Sequence, residues 1–479
     1  MASKAKSGSK AAKAAEKANI DRFPPILKQV PDNQKQRYAA LQETFQKRFG
    51  TKPAFFARAP GRVNLIGEHV DYCGYSVLPM ALQQDIVMAV GPNPDKKLDL
   101  VNTGDHYDDF TTDVQHVEID DTRPHWHQYF LCGYRGVVEG EKISEPVGMN
   151  VVTDGTIPAR AGLSSSSALV CCAALATMHS NGLKISKVKL ATDCMECEKY
   201  IGTHGGGMDQ AICFLAKEGM AMHIEFHPLC TSDVKIPNGV TFVIASSCVE
   251  MNKAAATHCN FRVVETRIAA QVIAKTEGLD WRKYRVLRHV QEALDTPPAE
   301  MRAFCNKDIH SNAWTKNELC TFFGLTNEEL NEESMSKNTI NENVFELHDR
   351  ARHVYGEAGR TIKFKKTCDE AKKNYEETLG ILMDTSHESC RELYKCSVDE
   401  LDELVEVCRN AGSLGSRLTG AGWGGCVVSM VPTKKLKEFI SKVRTDFYSK
   451  TPERQAQVDH TLFATKPGPG ARIYEPTNL

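Results

Sequence analysis

Residues 160–169 read RAGLSSSSAL and set four serines, Ser164 to Ser167, between Gly162 and an apolar run. Glycine leaves backbone N–H groups unshielded. A helix N-terminus offers free N–H groups and a positive dipole end, which suits an anion such as phosphate. Serine hydroxyls either cap such an end or supply oxygen to Mg²⁺. The segment therefore has the parts of a phosphate and Mg²⁺ cradle. A plain N-cap with spare hydroxyls would use the same residues. The GxxxxGK[ST] spacing of a Walker loop is absent.

Three more polar segments interrupt otherwise patterned structure. APGRVNLIGEHVDY (59–72) brings Arg62 close to Glu68, His69 and Asp71. Clustered short acids and a histidine suit the many hydroxyls of a sugar, and a solvated turn would also tolerate them. GGGMDQ (205–210) sets Asp209 among glycines, either as a general base or as a helix cap. SRLTGAGWGG (416–425) contains a GxGxxG at 420–425 that precedes a strand rather than opening a helix, so it does not fit a dinucleotide fold.

The intervening pattern gives the elements that must position these residues. YAALQETFQKRFG reads as a helix ending at Gly50. FFARAP reads as a strand stopped by Pro60, and MNVVTDGTIP as a strand stopped by Pro158. An apolar helix follows the serines, KVKLATDCMECEKYIG is a helix ending at Gly202, and AICFLAKEG is helix-like. TFVIASS and CVVSMV read as buried strands. Residues 290–375 are charged and mostly helical, with a linker at NEESMSKNTINEN, and 376–411 reads as amphipathic helix. Strands and helices mix without a βαβ rhythm, which favours α+β. The expected division is a tail over 1–20, an N-terminal domain over 21–240 and a C-terminal domain over 241–479.

The 479 residues are 41% hydrophobic and 25% charged, an ordinary globular makeup. A formal net charge of −2 gives no basic excess for nucleic acid or an anionic membrane. No apolar run reaches the ~18 residues of a membrane span, and MASKAKSGSKAAKAAEKAN lacks the apolar core of a secretory signal. Seventeen scattered cysteines point to reduced thiols in the cytoplasm rather than a disulfide framework. The lone CxxC of Cys194 and Cys197 lacks a second pair, so half-buried thiols are expected there. His125 and His127 in RPHWHQYF would face opposite sides of a strand, and Trp126 between them reads as core. His204 borders the glycine cluster.

In this order the segments resemble the GHMP kinase superfamily and, within it, the galactokinases. ARAPGRVNLIGEHVDYCGYSVLPMAL is similar to the galactokinase signature, GLSSSSAL to the second motif of the superfamily and SRLTGAGWGGCVVSM to the third. The likeness spans roughly residues 35–470. DYCGYSVLP, SSCVEMNKAA and YIGTHGGGMDQ look closest to N-acetylgalactosamine kinases.

The resemblance implies a two-lobed α+β fold with the site between N- and C-terminal domains. It implies ATP- and Mg²⁺-dependent phosphorylation of the anomeric hydroxyl of N-acetylgalactosamine, and of galactose beside it. Galactokinase proper is the nearest alternative. A non-catalytic sugar and ATP sensor is a third, disfavoured by the complete GLSSSSAL, Arg62 and Asp209. By residue, the resemblance makes Asp209 the base and Arg62 its neighbour, with Glu68, His69 and Asp71 on the sugar. Gly162, Leu163, Ser164 and Ser165 line the triphosphate, Asn252 and Lys253 lie on the nucleotide side, and Ser164 and Glu198 hold Mg²⁺. One residue fewer separates Glu198 from Asp209 than in many galactokinases. Arg160, unusual before this loop, either contacts phosphate or is solvated. The expected partners are the sugar and ATP alone, with the chain a monomer.

Overall fold

The computed structural model describes residues 23–476 except 121, 123, 124, 204, 251 and 252, and describes only the backbone of 253–256. The expected tail over 1–20 lies outside the described residues.

A seven-stranded sheet organises the first half, in the order β1-β15-β2-β3-β6-β4-β5. Its strands are β1 (Ile26–Leu27), β2 (Phe55–Asn64), β3 (Pro79–Asn93), β4 (Lys97–Asn102), β5 (Phe110–Asp113), β6 (Gly148–Gly155) and β15 (Arg472–Tyr474). β2 is buried along its whole length. Its side chains alternate between two apolar layers, as strand geometry requires. Phe56 faces helix α1 (Lys35–Phe49) with Tyr38, Leu41 and Phe45, while Phe55, Ala57 and Ala59 face the main core.

That core is built around α2 (Trp126–Gly140) and α3 (Ser165–Ser180). From Ser167 to Met178 every residue of α3 is buried, so its apolar sequence surrounds the whole helix rather than one face. Helices α4 (Lys187–Cys197) and α5 (Met208–Leu215) pack beside it, followed by a hairpin of β7 (Ala221–Glu225) and β8 (Cys230–Val234).

β9 (Val240–Ser246) opens a four-stranded antiparallel sheet in the order β12-β13-β9-β14, with β12 (Gly415–Thr419), β13 (Cys426–Pro432) and β14 (Leu462–Thr465). Between the sheets runs helical chain. It includes α6 (Lys253–Thr276), a small ribbon of β10 (Trp314–Thr315) and β11 (Val344–Phe345), α7 (Leu347–Glu370) and α8 (Tyr375–Ser389). The fold is mixed helix and strand, as expected.

Local signals were mostly readable. Gly50 and Gly202 end their helices at φ +72° and +78°. Pro60 does not end its strand: β2 continues to Asn64, and a register break between Pro60 and Arg62 absorbs the missing N–H. The segment 376–411 is not one helix. A wider turn at Cys390–Tyr394 and a left-handed Lys395 (φ +52°) divide α8 from a further helix at Asp399–Asn410. His125 and His127 are not on a strand. They stand at the start of α2, with ring planes 4° apart and centroids 5.5 Å apart. No cysteine forms a disulfide among the described residues, and no described helix is long and apolar enough to cross a membrane.

Candidate active site

Arg62 leaves β2 just after the register break, where the strand meets the serine loop. Its backbone N–H donates to the Leu163 carbonyl at 3.1 Å. Its nearly buried guanidinium then reaches two places at once. Nη1 donates to the Gly162 carbonyl at 2.6 Å, and Nε and Nη2 donate to Asp209 Oδ1 and Oδ2 at 2.7 and 3.3 Å. Asp209 lies in the first turn of α5 behind Gly207 (φ +94°), where the helix dipole favours a carboxylate.

Ser164 precedes α3 in a left-handed conformation (φ +57°) and makes no side-chain cap. Its hydroxyl donates instead to Asp209 Oδ2. The plain N-cap reading of the serines is therefore corrected: the hydroxyl turns toward the acid and leaves the N–H groups of the first turn of α3 without a capping side chain. Ser165 is half-buried, Ser166 exposed and Ser167 buried. Gly162 and Leu163 carry the carbonyls that meet Arg62.

Glu198 follows α4 in a tight turn and is buried. Its Oε1 has no hydrogen-bond partner. Burial first, and then the Asp209 charge, push its carboxyl up to about 8, with Ser167 and Gln210 acting the other way. Asp71 is half-buried, and burial followed by the same Asp209 charge push it up to about 6. Three carboxyls thus share one electrostatic neighbourhood. At Gly206 a Cβ would stand 2.5 Å from Asp71 Cγ, so only glycine lets the 205–207 turn close over this acid.

Glu68 and His69 are held differently. Glu68 Oε2 accepts from Asn64 Nδ2 at 2.7 Å and from Arg417 Nη1 at 2.9 Å, and Oε1 accepts from the Gly420 N–H at 2.6 Å. Both oxygens are engaged within the protein, so the carboxylate pins the signature loop to β12. Burial, ahead of the His353 ring, pulls the His69 imidazole down to about 3, so it is neutral near pH 7. Its Nε2 therefore carries the proton donated to the Ala421 carbonyl at 2.8 Å, and Nδ1 accepts from the Tyr72 hydroxyl at 2.9 Å. Tyr72 in turn accepts from Tyr394 at 2.6 Å.

The loop GAGWGG is the turn of the hairpin that pairs Thr419 with Cys426. At Gly420 (φ +86°) a Cβ would lie 2.5 Å from the Gly162 carbonyl oxygen. Gly420 and Gly425 serve close approach to the serine loop, while Gly422 and Gly424 let the turn close on the Cys396 and Val249 carbonyls. Arg160, also left-handed (φ +55°), pairs with Glu250 at 2.8 Å on the exposed rim. Asn252 and His204 lie outside the described residues, and of Lys253 only the backbone that opens α6 is described.

Sequence reasoning missed the support beneath the signature loop. Glu357 on α7 accepts from the Gly67 and Glu68 N–H groups at 2.9 and 3.2 Å and from the Ser386 hydroxyl at 2.6 Å. Burial alone would raise Glu357, yet Arg360 and Arg417 hold it well below the usual carboxylate range. Arg417 is fully buried and also donates to the Asn64 carbonyl at 3.0 Å. A buried-strand arginine just before a glycine cluster was the one signal available.

Comparisons with known proteins agree with this arrangement. Family profiles match residues 43–92 (galactokinase galactose-binding signature), 129–217 (GHMP kinases N terminal domain) and 369–449 (GHMP kinases C terminal). The galactokinase of Dictyostelium discoideum is 41% identical over 95% of this chain and 98% of its own length. That of Saccharomyces cerevisiae is 32% identical over 96% and 99%. The solved Lactococcus lactis galactokinase complexed with galactose shares the fold, with a TM-score of 0.68 at 24% identity over 91% of this chain and 99% of that one. With its signature segment and serine loop meeting at Asp209 and its glycine hairpin closing on the serine loop, this sugar kinase belongs to the galactokinase family of the GHMP kinase superfamily.

Proposed function

We propose that the chain transfers the γ-phosphoryl group of ATP to the anomeric C1 hydroxyl of galactose. The observation that carries this reading is the two-point grip of Arg62 on Asp209, beside an uncapped helix start and close to the Asp71 and Glu198 carboxyls. Asp209 takes the hydroxyl proton, the C1 oxygen forms its bond to the γ-phosphorus, and the bond to the β–γ bridging oxygen breaks to release ADP. Arg62 orients the carboxylate and balances its charge. The N–H groups at Gly162–Ser165 line the triphosphate, and Asp71 accepts sugar hydroxyls. Phosphoryl transfer asks mainly for such positioning and charge neutralisation.

The unpartnered Glu198 Oε1, which feels the charge of the Asp209 that Ser164 also touches, fits a divalent cation. Bound there with ATP, Mg²⁺ would neutralise charge on the phosphate oxygens. Glu198 and Ser164 are the residues that would hold it. Asn252 and Lys253 are proposed for the nucleotide side. We place the protein, as a monomer, in a reducing cytoplasm, which gel filtration and cell fractionation test.

N-acetylgalactosamine is the second substrate reading. It is favoured by the likeness of DYCGYSVLP, SSCVEMNKAA and YIGTHGGGMDQ to kinases of that sugar, whereas the relatives above are named galactokinases. Initial rates on both sugars test the order. A higher kcat/KM on galactose supports the first reading, a higher value on the acetamido sugar replaces it with the second, and no turnover on either removes both.

A further inference from the structure

Behind the signature loop lies a cavity of about 140 Å³ that the phosphoryl-transfer site does not use. It is walled by Tyr72 and Cys73, by Thr266 and Arg267 of α6, and by Arg285 with the apolar Val286 and Leu287 after it. The volume is well above what one water needs and far short of a nucleotide.

The charges around it do not balance. Arg267 donates through Nη1 to the Ser334 carbonyl at 2.9 Å, and no described carboxylate pairs with it. Arg285 approaches Glu333 only at 3.8 Å, and the same carboxylate also serves Arg282 at 3.4 Å. Two guanidiniums therefore share one carboxylate, and Arg267 has none among the described residues. Burial, followed by the Arg285 charge, lowers Arg267 to about 10, as expected of a cation lacking its counter-ion. The other polar walls are committed. Thr266 donates to the Arg262 carbonyl at 3.0 Å, and the Tyr72 hydroxyl is shared between His69 and Tyr394. The free donors are guanidinium N–H groups, whose fork geometry matches oxoanions.

We propose that this cavity is a second, non-catalytic site for a phosphate-sized oxoanion, held between Arg267 and Arg285. Its source is free phosphate or the phosphoryl end of a small monoester.

The experiment is calorimetric titration of inorganic phosphate into the full chain with the nucleotide site already saturated by ADP and Mg²⁺. Saturable binding at one site is expected. Arg267→Met should weaken it about tenfold or more, the scale of one charge-assisted hydrogen bond. Arg285→Gln should weaken it severalfold, and Ser164→Ala should leave it unchanged. Sugar-kinase turnover without phosphate reports that each arginine variant is folded. Should Arg267→Met not fold, the exposed Arg285→Gln carries the test. Titration with glycerol 2-phosphate separates the sources: equal binding means a phosphoryl end suffices, and binding of inorganic phosphate alone means the free anion. Absence of saturable binding to the ADP-loaded protein, binding that survives both arginine variants, or binding abolished by Ser164→Ala would overturn the proposal.

Discussion

Arg62 grips Asp209 by both carboxylate oxygens, at 2.7 and 3.3 Å, while its third nitrogen donates to the Gly162 carbonyl at 2.6 Å. One rigid guanidinium thereby sets the distance between Asp209, the proposed base, and the serine loop. Asp209→Asn keeps this shape and removes the base. Turnover should fall by about 10²–10⁴-fold while ATP affinity changes little. Initial rates and equilibrium ATP binding check this, and near-normal turnover would take the base role from Asp209.

Glu198→Gln should raise the Mg²⁺ concentration for half-maximal rate by about tenfold or more, the usual scale for perturbing a metal shell. Ser164→Ala should shift it in the same direction. Mg²⁺ titrations at saturating ATP decide. Unchanged curves in both variants would take these residues out of the metal shell.

Asp71, pushed up to about 6, loses its charge and part of its accepting capacity as pH falls through that value. The sugar KM should therefore rise below about pH 6 and level off above 7. Asp71→Asn should give a high KM that stays flat with pH. For stability the sign reverses. Between the ordinary 3.8 and about 6 the folded state binds the extra proton, so stability from this group declines as pH rises through that window. Denaturant midpoints of wild type and variant across pH 4–7 measure it.

Glu68 faces the fully buried Arg417 at 2.9 Å. Removing one partner of a buried pair costs about 3–5 kcal/mol. Glu68→Gln should lower the urea midpoint accordingly, as should Arg417→Met. An unchanged midpoint with a raised sugar KM in Glu68→Gln would instead support the direct sugar contact expected of Glu68.

Gly420→Ala adds a Cβ 2.5 Å from the Gly162 carbonyl and strains a φ of +86°. A cost of about 1–3 kcal/mol falls on the serine loop. The ATP KM should rise by about tenfold, with the sugar KM much less affected. Steady-state kinetics with each substrate varied in turn separate the two.

What could be read from the sequence was local or came as resemblance. Gly50 and Gly202 announced helix ends because a glycine closing a helical pattern supplies the left-handed residue that stops it. The signature, serine and hairpin motifs announced a family, yet nothing in their spacing says that Gly420 touches Gly162 or that Ser164 turns away from its own helix. Pro60 misled because a bulge can absorb a missing donor. The Glu68–Arg417–Glu357 support escaped because Glu68 reads as a sugar contact, Glu357 alone looks like an ordinary surface charge, and Glu68 lies hundreds of residues from both partners.

The sheet that carries Arg62 has one further consequence, for synthesis. β15 (Arg472–Tyr474) lies between β1 and β2 and pairs with Phe56, Ala57 and Arg58. While the ribosome is making the second sheet, β2 therefore waits with an open edge, and β1 has no strand to join. The N-terminal half cannot finish folding as it emerges. Its sheet closes only after residues 472–474 leave the exit tunnel, so Arg62 is born on a strand that must be guarded from foreign strands until they do.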